Sequence, residues 1–284
     1  MINFDVTPIA GACGAEIHGM DISQDLSDEA IQAIRTALLD HLVVFFRDQD
    51  LTPDQHVAFG RRFGELNIDR FVVPMEGHPE IMVVLKEADE TLNFGKVWHS
   101  DTTFQEEPAM GSILYGVEIP PYGADTMWAN QYLAYETLSD GMKAMLEGLR
   151  AVHTARAGYG KAALDKRFDS IKRSMKIRRD QEDLAESEVS HPIVRTHPET
   201  GRKALYVNAA YTDRIEGMTV DESKPILDYL YARCVRPEFT CRFGWSKGAV
   251  AFWDNRSAQH YPINDYNGFR REMHRVTVCG DRPI

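Results

Sequence analysis

The chain has 284 residues, enough for one large domain or two small ones, and its 43% hydrophobic content is typical of a globular protein, not a disordered or fibrous one. Thirty-two Lys and Arg against 43 Asp and Glu give a net charge of −11, which would repel a nucleic acid backbone. Because no apolar run approaches the roughly 20 residues that cross a bilayer and the first residues lack a secretory signal pattern, we predict a cytoplasmic protein that binds neither nucleic acid nor membrane.

The N-terminal part predicts two helices on either side of a buried strand. Residues 26–41 carry apolar side chains at helical spacing, and Ser27 near the start of this range is a good N-cap. The run 42–46, Leu-Val-Val-Phe-Phe, is short, β-branched and aromatic, as a buried strand would be. Thr52 then supplies the N-cap of a second helix, predicted over 53–63.

From about residue 80 the sequence turns to short strands bounded by Gly, Pro, Asn or Asp. The predicted strands are 80–85, 110–118, 126–129, 151–154, 193–196, 204–207, 239–245, 249–253 and 275–279. Helices are predicted over 131–148 and 220–234. Many short strands with a few helices predict a mostly β fold with flanking helices, a double-stranded β-helix or jelly roll, in a single domain over residues 1–284.

One segment, 155–190, differs in composition from the rest. Lys and Arg are dense over 161–179, and acidic residues are dense over 180–188. We interpret this segment as a surface insertion, which is either a solvated loop and helix or a mobile lid.

A histidine and a carboxylate lie two positions apart in Trp-His-Ser-Asp, at His99 and Asp101. On an extended strand the two side chains would point the same way and could chelate one ion. A third ligand is available from His260, which follows the predicted strand 249–253. Two histidines and one carboxylate leave one face of an octahedral ion open, as in non-haem iron(II) oxygenases.

Two other kinds of protein fit the same three side chains. A zinc hydrolase would hold water in the open coordination position. A non-catalytic jelly-roll binding module would use the metal only for structure. The sequence around the ligands does not by itself separate these alternatives from an oxygenase.

Two arginines follow His260 at 11 and 15 residues, Arg271 and Arg275. If 271–278 is extended, both side chains share one face with Met273 and can point towards the metal. Because an unpaired buried arginine is costly, an inward arginine implies an anion that meets it. Surface or structural ion pairs are the alternative reading of both residues.

Taken together, these motifs resemble the taurine dioxygenase and 2,4-dichlorophenoxyacetate dioxygenase (TauD/TfdA) family. The resemblance covers nearly the whole chain, through His-Leu-Val-Val-Phe-Phe-Arg at 41–47, Arg-Phe-Gly at 62–64, Trp-His-Ser-Asp at 98–101, Trp-Asp-Asn-Arg at 253–256 and Met-His-Arg at 273–275. It implies an oxidoreductase that uses Fe(II), 2-oxoglutarate and O2, forms succinate and CO2, and hydroxylates a C–H bond of a second substrate.

The resemblance also implies roles for individual residues. His99, Asp101 and His260 match the iron ligands. Thr126 and Arg271 match the positions that bind the distal carboxylate of 2-oxoglutarate, an anchor that a zinc hydrolase would not need.

The substrate implied by the resemblance is a small organic anion other than taurine. The residues that seat taurine in the family are absent from 67–73 and 94–97, and the runs 201–208, 214–219 and 222–227 are more similar to the branch that cleaves aryloxyalkanoates. An aryloxyalkanoate-like carboxylate, a sulfonate or a sulfate ester is therefore expected. The candidates for contact with it are Arg275, Arg70 and Phe104. A homo-oligomer is compatible with the sequence.

Overall fold

Short β-strands make up most of the regular structure in the computed structural model, which describes residues 4–168, 174–178 and 180–284. In chain order the strands are β1 (Asp5–Pro8), β2 (Ala15–His18), β3 (Val43–Phe46), β4 (Pro74–Met75), β5 (His78–Lys86), β6 (Gly111–Glu118), β7 (Thr126–Asn130), β8 (Arg150–His153), β9 (Val189–Pro192), β10 (Val194–Thr196), β11 (Lys203–Leu205), β12 (Thr212–Ile215), β13 (Thr240–Phe243), β14 (Val250–Asp254), β15 (Ala258–Pro262) and β16 (Arg271–Val278).

The helices flank these strands. They are α1 (Asp28–His41), α2 (Pro53–Arg61), α3 (Gln131–Glu136), α4 (Asp140–Leu146), α5 (Arg156–Tyr159), α6 (Lys161–Phe168), α7 (Glu182–Glu186) and α8 (Val220–Cys234), with a 3-10 turn at Pro237–Phe239. The segment 131–148 forms two helices, because the Ser139 hydroxyl accepts a hydrogen bond from Met142 N and begins a new one. Within the described part of the chain, no helix is both long enough and apolar enough to span a membrane.

Two sheets form the centre of the fold. The larger has eight strands in the order β1-β2-β3-β14-β6-β16-β5-β4, and the smaller has the order β13-β7-β15. Side chains of both meet in one apolar core, where Phe45 stacks on Phe243 at 4.0 Å between ring centroids and Trp128 lies 5.8 Å from Trp253. The predicted double-sheet jelly roll is therefore confirmed.

Helices α1 and α2 cover the other face of the large sheet. Ile34 and Leu38 of α1 and Phe59 of α2 are buried there against strand residues such as Phe252. Each such side chain contributes roughly 1.5–3 kcal/mol to stability. This layer gives the large sheet a fixed support, from which β14 and β16 present their other face to the site.

Strand β15 is absent from the sequence prediction, which placed His260 after a strand and not on one. Its sequence, Ala-Gln-His-Tyr-Pro, is polar, yet Gln259 and His260 are buried. The alternation of apolar and polar residues that marks a half-buried strand is missing here, because this strand buries polar groups. Strands β1, β2, β4, β9 and β12 were also not predicted.

The predicted insertion 155–190 carries α5, α6 and α7, although 169–173 and 179 lie outside the described residues. Its later part pairs with the chain around Phe71. Val73 N donates to Lys176 O at 2.9 Å, and Arg178 N donates to Phe71 O at 2.7 Å. The single-domain organisation and the role of this segment as a lid stay predictions.

Candidate active site

Three buried side chains far apart in sequence converge at one point: His99, Asp101 and His260. One potential ligand atom from each lies within 4.8 Å of those of the other two. His260 is on β15, and the chain at His99 pairs with it through two backbone hydrogen bonds, His99 N to His260 O at 3.1 Å and His260 N to His99 O at 2.7 Å. This short bridge brings the early ligands to the edge of the small sheet.

His99 and Asp101 do not lie on an extended strand, the arrangement in which their side chains would point the same way. His99 forms only an isolated bridge, Asp101 begins a turn, and Thr102 has a φ of 54°. A left-handed conformation is rare for a β-branched residue and is typical of functional sites. The turn, not strand alternation, therefore brings the Asp101 carboxylate to 3.7 Å from His99 Nε2.

Hydrogen bonds fix the orientation of the His99 ring. Its Nδ1 donates to Val97 O at 2.7 Å, which leaves Nε2 facing Asp101. Burial lowers the pKa of His99, an effect that Asp101 partly opposes. Burial and the neighbouring His99 likewise hold the pKa of His260 well below its ordinary value. Both imidazoles are therefore neutral at pH 7 and can offer a lone pair to a cation.

Hydrogen bonds hold both the carboxylate and the backbone N of Asp101. Ser112 Oγ donates to Oδ2 at 2.7 Å, Arg275 Nη1 donates to Oδ1 at 2.9 Å, and the backbone N of Asp101 donates to Asn255 Oδ1 at 3.1 Å. Burial alone would raise the pKa of this carboxyl group, but Arg275, His260 and His99 outweigh burial and lower it. Asp101 is thus held as a carboxylate.

Arg271 and Thr126 lie beside these ligands, in the wall of a cavity of about 40 Å³ that His99, His260 and Arg275 also line. Arg271 is buried, and its Nε and Nη2 have no hydrogen-bond partner among the described residues. Thr126 Oγ1 accepts from Trp245 Nε1 at 2.9 Å, so its own O–H is available to donate. Arg271 and Thr126 therefore offer hydrogen-bond donors to an anion at this end of the cavity.

A second cavity, of about 220 Å³, continues from the first, since His99, Phe94 and Gly95 line both. Its other lining residues are Asn93, Lys96, Val97, Ala157, Gly158, Tyr159, Ala209, Ala210 and Tyr211. Gly95 has a φ of 74°, and a Cβ there would lie 3.1 Å from His99 Cε1. The absence of a side chain at this position therefore lets the wall approach the His99 ring.

The three predicted substrate contacts are placed differently from one another. Arg275 is buried against Asp101, and its Nη2 lies 4.0 Å from Asp69 Oδ2. Phe104 is buried in contact with Phe71 and Tyr211, with ring centroids 5.5 and 4.9 Å away. Arg70 is exposed and is not among the residues that line either cavity.

The donor set fits the predicted metal. Two neutral imidazoles and one carboxylate, with the carboxylate oriented by neighbouring donors, match the ligand set of non-haem iron(II) oxygenases. The supporting residues Ser112 and Asn255 were not found from the sequence. Asn255 lies within the Trp-Asp-Asn-Arg motif, which was the one available signal, whereas Ser112 lies inside β6 with no signal at all.

Comparisons with known proteins agree with this geometry. The family model described as taurine catabolism dioxygenase TauD, TfdA family matches residues 5–277. An alpha-ketoglutarate-dependent sulfate ester dioxygenase from Pseudomonas putida is 35% identical over 286 residues, which cover 100% of this chain and 92% of that protein.

Two solved structures share the fold. A taurine dioxygenase from Burkholderia xenovorans is 39% identical, with a TM-score of 0.81 and coverage of 99% of this chain and 91% of that one. AAD-2 in complex with Mn(II) and N-oxalylglycine is 27% identical, with a TM-score of 0.79 and coverage of 99% of each chain. The predicted reaction class is confirmed: this protein belongs to the TauD/TfdA family and is an Fe(II)- and 2-oxoglutarate-dependent dioxygenase.

Proposed function

We propose that this dioxygenase hydroxylates the carbon next to the ester oxygen of a small alkyl sulfate. The proposal is supported mainly by one observation: the His99, Asp101 and His260 cluster opens both towards the donors of Arg271 and towards the 220 Å³ cavity. Hydroxylation at that carbon gives an unstable product, which separates into an aldehyde and inorganic sulfate.

In this proposal each element of the site has one task. His99, Asp101 and His260 would hold Fe(II), which when bound supplies the oxidising chemistry that converts O2, 2-oxoglutarate and the alkyl sulfate into succinate, CO2 and the hydroxylated alkyl sulfate. Arg271 and Thr126 bind the distal carboxylate of 2-oxoglutarate. Arg275 and Ser112 keep the Asp101 carboxylate oriented.

The substrate class follows from the lining of the larger cavity. Phe94, Val97 and Ala157 present apolar surface, and Lys96 contributes a positive charge at the wall. A small molecule with a hydrocarbon part and one anionic group suits this combination. The sulfate ester dioxygenase of Pseudomonas putida, similar over the full length of this chain, favours a sulfate ester as the anionic group.

The test is a panel of alkyl sulfates, alkyl sulfonates including taurine, and aryloxyalkanoates, scored by O2 consumption and succinate formation. We expect an alkyl sulfate to give turnover with one sulfate released per succinate. Coupled turnover with only the aryloxyalkanoates would replace the proposed substrate class with the carboxylate predicted from the sequence. Sulfate release without O2 or 2-oxoglutarate would contradict the oxidative route.

Cellular location and assembly are proposed on separate grounds. The cysteines Cys13, Cys234, Cys241 and Cys279 are all free, which favours the reducing cytoplasm. The net charge of −11 argues against nucleic acid as a partner. A homo-oligomer stays a prediction, which light scattering of the purified protein tests.

A further inference from the structure

A second buried cation, Lys86, lies next to Arg271, the residue proposed to bind the distal carboxylate of 2-oxoglutarate. Lys86, the last residue of β5, is 3% exposed, and its Nζ has no hydrogen-bond partner among the described residues. Its closest aromatic contact is Tyr266, whose ring centroid lies 4.4 Å from Nζ. Lysine is rarely buried to this degree without a partner, so its position needs an explanation.

The sheet register places Lys86 directly beside Arg271. The two residues are opposite each other in the antiparallel pair of β5 and β16, where facing side chains share one surface of the sheet. Arg271 also lies over Tyr266, with its Cζ 5.9 Å from the ring centroid. Val84, two residues before Lys86 and hence on the same face of β5, lines the 40 Å³ cavity.

Within the described part of the chain, no carboxylate accepts a hydrogen bond from Lys86 Nζ or from Nε or Nη2 of Arg271. The buried carboxylate of Glu90 interacts with the charge of Lys86, but its oxygens accept hydrogen bonds from Ser174 Oγ at 3.0 Å and Glu87 N at 3.2 Å. Arg271 keeps two guanidinium nitrogens without partners. Two buried cations side by side are unfavourable unless an anion meets both of them.

A carboxylate has the capacity to meet both. Its two oxygens offer about four lone-pair positions. Arg271 Nε and Nη2 and the Thr126 hydroxyl can fill three of these, and an ammonium group can fill the fourth. We propose that Lys86 is a second cation of the co-substrate site, which acts with Arg271 to select 2-oxo acids that carry a distal carboxylate.

This proposal rests on the role proposed above for Arg271, and binding experiments separate the two. Isothermal titration calorimetry of the Mn(II)-loaded protein with 2-oxoglutarate and with 2-oxopentanoate measures each affinity without turnover. The two acids have equal chain length, but only 2-oxoglutarate carries the distal carboxylate. Lys86→Met should weaken 2-oxoglutarate binding by about tenfold to a hundredfold and change 2-oxopentanoate binding by less than about twofold.

The control variants sharpen the result. Lys224→Met removes an exposed lysine on α8 and should leave both affinities unchanged. Lys86→Arg keeps the charge and should preserve the preference for 2-oxoglutarate, which also provides a test if Lys86→Met fails to fold. Equal effects of Lys86→Met on the two acids, or no effect on either, would overturn the proposal. If Arg271→Met also leaves 2-oxoglutarate binding unchanged, then the proposed carboxylate site at Arg271 and Thr126 is wrong, and not only the role of Lys86.

Discussion

Two buried ionic groups in this site, Asp101 and Arg271, differ in how the protein treats them. Each oxygen of the Asp101 carboxylate accepts a hydrogen bond from the protein, one from Ser112 and one from Arg275. Nε and Nη2 of the Arg271 guanidinium have no hydrogen-bond partner in the part of the chain that the structure describes. In the proposed site, the chain therefore orients its metal ligand Asp101 in advance, whereas the charge of Arg271 is left for the carboxylate of 2-oxoglutarate.

The largest expected effect comes from removing one of the three proposed metal ligands. His260→Ala should reduce the decarboxylation of 2-oxoglutarate to the background rate, because two remaining donors cannot hold Fe(II) in place. Succinate formation and bound iron measure the outcome, and His18→Ala, at an exposed histidine, is the matched control. Wild-type rates in His260→Ala would remove this residue from the ligand set; the same holds for the alanine variants of His99 and Asp101.

A smaller effect is expected from the removal of Arg271. Arg271→Ala should raise the KM for 2-oxoglutarate by roughly a hundredfold, since a buried charge partner is lost, and leave kcat at saturation within a few-fold. Arg236→Ala, at an exposed arginine, is the control. An unchanged requirement for 2-oxoglutarate would show that the anchor lies elsewhere.

A variant of Arg275 distinguishes between two roles of this residue: contact with Asp101, as the structure has it, and contact with the substrate, as the family resemblance implies. Since Arg275 Nη1 contacts Asp101 Oδ1, Arg275→Met should weaken Fe(II) binding by about tenfold to a hundredfold. Equilibrium dialysis with Fe(II) under anaerobic conditions measures this, with Arg236→Met as the control at an exposed arginine. Unchanged iron affinity with a raised KM for the organic anion would instead support direct substrate binding.

The smallest effect concerns pH. Ordinary histidines, with pKa values near 6.5, would be half protonated at pH 6.5, and two of them would weaken metal binding roughly fourfold by proton competition. Because burial lowers the pKa values of His99 and His260, both are less protonated at that pH than ordinary histidines would be. Mn(II) affinity should therefore change by less than about twofold between pH 7.5 and 6.5, as titration calorimetry can show. A fourfold loss would mean that the lowered pKa values are absent.

The sequence predicted the elements whose side chains follow their local period. Along β16 the predicted alternation holds, since Arg271, Met273 and Arg275 are buried while Glu272 and His274 are less so. The helices around Ser27 and Thr52 begin at the predicted caps. In such elements, local chemistry and burial agree, so pattern alone is sufficient.

The rest depends on contacts between distant segments. That Arg275 turns to Asp101, 174 residues earlier, follows from the pairing of β16 with β6 and the turn at Thr102, neither of which can be seen in a local pattern. In the sequence, Ser112 looks like any other small polar residue in a strand. Only the pairing of β6 in the folded sheet places its hydroxyl against the Asp101 carboxylate. Strand β15 escaped prediction for the related reason that its buried face is polar.

One part of the wall of the 220 Å³ cavity is the segment that leads to His99, and the other part comes from two segments that carry none of the three proposed metal ligands. Ala157 follows β8, and Ala209 and Ala210 follow β11, so all three lie outside the strands that carry His260 and Arg271. Exchanges at these small residues would alter the size and polarity of the space without disturbing iron or co-substrate. Evolution can therefore diversify the compounds that such an enzyme degrades while the oxidising machinery stays the same.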